Sequence, residues 1–515
     1  VKIFSGGNEE GFREEIFSGR NETILREKTR RAKCYNEVTG IFDVRGMVQV
    51  KIKSRQMDFH EVMKIERPAH RKPKKPSRIL SLVMRVAAIP DLCAVKFSYE
   101  KKNMEKAGPG PYLILMNHSS FLDLEIASKI LFPKRYNIVC TSDGFVGKEG
   151  LMRNLGCIPT RKFVSDISLI TDIKYAIGKN KTSVLMYPEA SYSFDGTATP
   201  LPRRMGVLFK ALKVPVLMIT TYWSFARDPL YNNLQKRKVK VRATIECLLS
   251  AEEVEDRSID EIDGILDKAF SFDYFSWQKE NKVKIDEPFR ADGLNRILYK
   301  CCRCGQEGQM EGRGVELTCH ACGMIWELDE FGVLLEKGVS GAREDGGAGT
   351  AEAAEDGASE SGPAVEPESS AAVALAGNEG KDFSHIPSWY AWERECVRKE
   401  IEEGSYLLET DVDIGIIVDF ESLYMVGSGT LRHDADGFAL DGCDGQLHYT
   451  QSPKENYSLY SDYFWYEIGD VICIGKKDCL YYCFPKKKDV VAKTRIAAEE
   501  LFKIARDGRE GRSGR

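Results

Sequence analysis

The chain has 515 residues, which at ~150 residues per domain points to roughly three to four domains. Hydrophobic residues make 43% and charged residues 30%, enough for a sizeable core, and a net charge of −4 excludes a general polyanion-binding surface. The 15 cysteines are odd in number and no secretory leader pattern opens the sequence, which favours a reducing cytoplasm over a secreted disulfide scaffold.

Residues 1–56 are basic, lack apolar periodicity and read as a poorly structured N-terminal extension, or as an arm upstream of a start at Met57. Residues 57–106 carry a basic cluster (His70, Arg71, Lys72, Lys74, Lys75, Arg78) followed by Ile79, Leu80, Leu82, Val83, Val86 and Ala87 near helical spacing. Charge beside an apolar face suits a helix lying on an anionic membrane, and a basic loop leading into a core helix is the alternative. No apolar run reaches the ~20 residues of a spanning helix. The nearest, 79–95, contains Arg85, Pro90 and Asp91. The expected location is therefore the cytoplasm, peripherally on the inner face of the cell membrane.

Residues 107–299 alternate buried-strand runs (112–116, 137–141, 183–187, 214–220) with helical segments (123–131, 166–178, 203–212). That alternation predicts an α/β layered domain. Residues 300–338 hold a cysteine cluster, and 339–380 are Ala, Gly, Glu and Ser with almost no large apolar residue, the composition of a disordered linker. Residues 381–505 begin with a helix over 389–401, continue as short aromatic strands with Asp436-Gly437 and Asp444-Gly445 turns, and end in a helix over 494–505. This predicts a smaller, mainly β domain with a terminal helix, compatible with a pleckstrin-homology-like barrel. The tail 506–515 is expected to be mobile.

Asn117-His118 follows the first buried strand, and Asp123 lies five residues on. Five residues turn ~140° away on an ideal helix, so the two side chains meet only with His118 in the turn and Asp123 in the first helical turn. A carboxylate on Nδ1–H fixes the tautomer and frees Nε2 as a base. Arg161 and Lys162 follow a strand-like turn where a phosphate can be gripped, and Glu189 ends the next strand. Each also has a bland reading: a strand-end histidine, a solvated basic turn, an edge carboxylate.

In order and spacing these segments resemble the sequence blocks of the glycerophospholipid acyltransferase family, the 1-acylglycerol-3-phosphate O-acyltransferase or lysophosphatidic acid acyltransferase type, over about 80–250. NHxxxxD is intact as Asn117, His118 and Asp123. The family's FPEGTRS reads YPEASYS here, with Pro188, Glu189 and Ser193 matching, Ala190 and Ser191 in place of glycine and threonine, and Tyr192 in place of arginine. Lys162 stands at the family's second-block arginine, and the fourth block keeps Val214-Pro215 with Met218 for its second proline. The resemblance implies an O-acyltransferase of phospholipid biosynthesis with no organic cofactor. His118 would be the general base and Asp123 its orienter. The acyl donor would be acyl-CoA or acyl-carrier protein, and the acceptor a lysophospholipid, foremost 1-acyl-sn-glycerol 3-phosphate giving phosphatidic acid. Glu189 would orient the acceptor, with Asn117, Arg161, Lys162 and Ser191 also in the binding set. The altered third block leaves open a non-catalytic lipid-binding or scaffold protein.

Cys301-x-x-Cys304-Gly and Cys319-x-x-Cys322-Gly are paired knuckles that present four thiolates tetrahedrally, the signature of a structural zinc ribbon, with a redox CxxC as the alternative that the pairing disfavours. Cys302 and His320 would be bystanders. Acidic neighbours (Glu307, Glu311, Glu316) argue against nucleic acid. The succession of acyltransferase domain, ribbon and aromatic β domain resembles a bacterial form of the family. In the β domain, His433, Asp434 and Asp436 read as surface turn chemistry.

Overall fold

The computed structural model describes residues 52–163, 166–339, 380–476 and 479–513, with side chains to residue 506. Residues 1–51 and 340–379, most of the expected N-terminal extension and linker, lie outside the described residues.

The α/β domain is built on a seven-stranded sheet in the order β2-β8-β7-β3-β6-β4-β5. Its strands are β2 (Ser98–Lys102), β3 (Leu113–Met116), β4 (Tyr136–Thr141), β5 (Cys157–Thr160), β6 (Ser183–Met186), β7 (Val216–Tyr222) and β8 (Arg242–Leu249). β3 to β7 are mutually parallel, while β8 runs antiparallel to β7 and carries β2 at the edge. All four predicted strands are present. The three additional ones, β2, β5 and β8, lack a clean apolar run, and β2 is exposed along its whole length as an edge strand.

Alternate residues of β3 feed two cores. Ile114 and Met116 pack with Leu185, Leu217 and Ile219 on one face, and Leu113 and Leu115 pack with Val184, Val216 and Met218 on the other. Burial on both faces is why these strands read as continuous apolar runs. Helices α1 (Arg78–Ala87), α2 (Asp123–Leu131), α3 (Ile167–Gly178) and α4 (Met205–Leu212) belong to this domain. α1 leaves Ile79, Leu82 and Val86 exposed at 74%, 50% and 55%. Part of the basic cluster before it folds back on the protein: His70 meets Asp172 at 3.1 Å, and Lys72 lies over the Tyr175 ring. No helix among the described residues is long and apolar enough to cross a membrane.

A four-stranded antiparallel sheet follows, in the order β12-β11-β10-β9: β9 (Met310–Arg313), β10 (Glu316–Cys319), β11 (Met324–Leu328) and β12 (Leu334–Val339). It is clamped by helix α5 (Ile386–Glu402), whose Trp389 stacks edge-on against Trp326 and donates Nε1–H to the Lys300 carbonyl.

The C-terminal strands are β13 (Leu408–Ile416), β14 (Leu423–Asp434), β15 (Gly437–Gly442), β16 (Leu447–Gln451), β17 (Tyr460–Trp465), β18 (Gly469–Lys476) and β19 (Cys479–Pro485). They form the antiparallel path β16-β15-β14-β13-β19-β18-β17, and helix α6 (Val491–Ser513) follows. α6 continues to Ser513, into the tail expected to be mobile. His433 is on a hairpin as expected, yet it is buried rather than on the surface, stacked 3.7 Å from Phe438 with Tyr406 Oη at 2.9 Å from Nδ1.

The expected boundary at residue 56 is corrected. Strand β1 (Ser54–Gln56) pairs in parallel with β14, Ser54 opposite Leu423, and Ile52 is buried with Val146, Phe163 and Ile417. The residues just before Met57 therefore belong to the core between the α/β and C-terminal domains.

Candidate active site

The C-terminal ends of the parallel strands converge on one surface, the place where open α/β sheets build sites. β3 delivers His118, β4 Asp143, β5 Lys162, β6 the segment Tyr187–Ser193, and β7 Thr221.

His118 lies in the turn after β3, and Asp123 is the first residue of α2. His118 Nδ1 is 3.1 Å from Asp123 Oδ2. Because a carboxylate oxygen accepts, this contact puts the ring proton on Nδ1 and leaves Nε2 as an acceptor. Asp123 is 1% exposed, and its Oδ2 also accepts the backbone N–H groups of Ser119 (2.9 Å) and Ser120 (3.1 Å), which locks the turn. The imidazole is held between two rings, Tyr187 at 4.2 Å and Tyr192 at 4.0 Å between centroids, and Phe121 stacks on Tyr192. Burial holds the His118 pKa below its ordinary value, against the raising effect of Asp123. Among the described residues no protein group bonds Nε2, which is thus available to a ligand. A small cavity beside it is lined by Asn117, Glu189, Thr221, Trp223, Phe270 and Phe272 among others.

Several expected binding residues have other partners. Glu189 is buried, with Oε2 accepting the His118 N–H at 2.7 Å and Oε1 the Thr199 N–H at 2.9 Å; burial lifts its pKa to about 7. It fixes the backbone under the histidine rather than reaching out toward an acceptor. Asn117 bridges to β7, its Oδ1 accepting the Thr221 N–H at 2.7 Å and its Nδ2 donating to the Thr221 carbonyl. Ser191 is 1% exposed beneath the C-terminal helix, where Arg495 Nη1 lies 3.4 Å from its Oγ. Arg161 Nη1 donates to the Lys476 carbonyl, which turns it toward the C-terminal domain and away from His118. Lys162 acts electrostatically on the histidine, helping to hold its pKa down, and its Nζ lies 4.2 Å from the Tyr460 ring centroid on β17.

The C-terminal domain packs against the strand ends and loops that carry Asp143, Lys162 and Phe194, next to the His118 cavity, which the sequence did not reveal. Tyr460 Oη donates to Asp143 Oδ2 at 3.0 Å, and Trp465 Nε1 lies 3.3 Å from the same oxygen. Phe194 packs on Tyr463, and Arg495 sits over Phe194. These contacts join residues some 300 positions apart. The one local signal was Tyr192, an aromatic where the resemblance calls for a cation; its ring is used to hold the imidazole.

Separately, the four cysteines Cys301, Cys304, Cys319 and Cys322 bring their Sγ atoms within 4.8 Å of one another, a cluster that can hold a metal ion. Cys301 and Cys322 Sγ are 3.8 Å apart, and Cys304 and Cys319 Sγ 3.7 Å. A tetrahedron with Zn–S of about 2.3 Å has edges of about 3.8 Å, so the donor set fits zinc. Gly305 and Gly323, at φ 74° and 72°, let the chain turn back so that each N–H reaches the carbonyl of the first cysteine of its knuckle. Cys302 lies outside the cluster, and His320 is exposed and meets Glu311 at 2.9 Å.

Residues 98–224, from β2 through the strand end of β7, match the family model described as Acyltransferase. That match spans the strands and turns that carry His118, Asp123 and Glu189. Among solved structures, the 1-acyl-sn-glycerophosphate (LPA) acyltransferase PlsC from Thermotoga maritima is similar at 14% identity, covering 38% of this chain and 81% of that one, with a TM-score of 0.27. No curated protein matches the chain in sequence.

Proposed function

We propose that the protein transfers a fatty acyl group from the thioester of acyl-CoA or acyl-carrier protein to the free hydroxyl of a lysophospholipid, with His118 as general base and Asp123 as its orienter. The observation that carries this reading is the His118 Nδ1–Asp123 Oδ2 contact, with Asp123 buried and doubly held by backbone N–H groups. Nε2 takes the hydroxyl proton as the hydroxyl oxygen bonds to the thioester carbonyl carbon. The C–S bond then breaks, and the imidazolium returns the proton to the departing thiolate. Asp123 stabilises the imidazolium in between. A lowered histidine pKa keeps the ring neutral, the form a base needs. No acyl-enzyme is required. Within the acceptor class, the block resemblance favours 1-acyl-sn-glycerol 3-phosphate, with Lys162 toward the phosphate.

Two further assignments accompany this reading. The four cysteines hold a structural zinc; a full thiolate shell leaves no open position for catalysis. The protein meets the membrane peripherally through the exposed apolar face of α1, flanked by Arg78 and Arg85.

The test is turnover of purified protein with acyl-CoA and a lysophospholipid panel, products identified by mass spectrometry. His118→Ala should lower kcat by ~10²–10⁴-fold while the protein stays folded. Normal turnover in folded His118→Ala rejects the base assignment. A scaffold role instead predicts no product with any acceptor.

A further inference from the structure

The surroundings of Lys162 are shared between domains, and their C-terminal contribution includes a carboxylate. Tyr460 and Asp462 are two apart on β17 and so project from the same side of the strand. Tyr460 lies over Lys162 at 4.2 Å, anchored through its hydroxyl to Asp143. Asp462 is half-buried, and among the described residues its carboxylate accepts one hydrogen bond, from the N–H of Tyr463 at 3.0 Å. Its remaining acceptor capacity is therefore open to a ligand. The Lys162 ammonium acts electrostatically on both His118 and Asp462. The other charges bearing on Asp462 are Arg495, itself bonded to Glu499, and Asp143.

Resting on the acyl-transfer reading, we infer that this site takes a zwitterionic lysophospholipid, with Lys162 meeting a phosphodiester and Asp462 meeting an ammonium on the same headgroup. A phosphomonoester carries about −1.5 to −2 at pH 7 and would bring that charge beside Asp462 and Asp143 with one half-buried lysine to offset it. A phosphodiester bearing an ammonium matches a lysine and a carboxylate one to one. The carboxylate comes from a different domain, so the C-terminal strands set acceptor choice, and the acceptor inferred from the sequence blocks alone changes.

The experiment measures kcat/KM for the full chain with one acyl-CoA and two acceptors of the same acyl chain, lysophosphatidylethanolamine and lysophosphatidic acid. Wild type should prefer the ethanolamine lipid. Asp462→Asn should shift the ratio about tenfold toward the phosphomonoester, and Asp462→Glu should retain the wild-type preference. A second measurement needs no variant: glycerophosphoethanolamine should inhibit wild type more strongly than glycerol 3-phosphate. A wild-type preference for lysophosphatidic acid, or a ratio unchanged in folded Asp462→Asn, overturns the inference while leaving acyl transfer intact. Absence of turnover with every acceptor overturns the acyl-transfer reading and this one together.

Discussion

Glu189 holds the peptide N–H of His118 at 2.7 Å, and its second oxygen holds Thr199, so one buried carboxylate ties the end of β3 to the loop after β6. Glutamine at this position would turn an NH₂ toward one of the two N–H donors. Leaving a buried donor unmatched costs about 1–3 kcal/mol. Glu189→Gln should lower the melting temperature and kcat together, with acceptor KM little changed. A rise in acceptor KM at unchanged stability would instead assign Glu189 to the substrate.

The pH profile should report His118. Only the neutral ring accepts a proton, and burial holds its folded pKa below the usual 6.5. The acid limb of kcat/KM should therefore fall below pH 6.5. Asp123 raises that pKa, so Asp123→Asn should move the limb to still lower pH while kcat drops. The losses in His118→Ala and Asp123→Asn should not add in the double variant, because in the proposed mechanism both serve one proton transfer. A limb above pH 6.5 would contradict this.

Metal analysis of protein purified without added zinc should find about one equivalent per chain. Cys304→Ser/Cys322→Ser should lose it and lower the melting temperature, because in the proposed zinc-bound form the metal ties the two knuckles together. Retained zinc in the double variant would refute the ligand set.

A chain starting at Met57 should be less stable than one starting at residue 51. It loses β1 and the burial of Ile52, a side chain that contributes about 1.5–3 kcal/mol. Thermal unfolding of the two chains decides this; equal melting temperatures would show that β1 adds nothing to the interdomain core.

Replacing Ile79, Leu82 and Val86 by glutamate should abolish sedimentation with anionic vesicles and leave the melting temperature unchanged, because all three are exposed. Unaltered vesicle binding would move the membrane contact elsewhere.

Local sequence determined the elements whose signals are local. Apolar runs bounded by breakers marked β3, β4, β6 and β7, because strands buried on both faces need no alternation. The five-residue interval from His118 to Asp123 dictated a turn followed by a first helical turn, and two C-x-x-C-G knuckles dictated a four-thiol cluster. The interval between residues says nothing, however, about what lies across from them. That Glu189 is turned onto a backbone N–H, that Tyr192 stacks on the imidazole, and that Ser191 is sealed under Arg495 are outcomes of packing. β17 and the C-terminal helix come to the α/β domain from some 300 residues away, and β1 joins β14 from the opposite end of the chain. Long-range burial of aromatic rings such as Tyr460 and Trp465 brings them together, so the charge beside Lys162 was decided by tertiary structure alone.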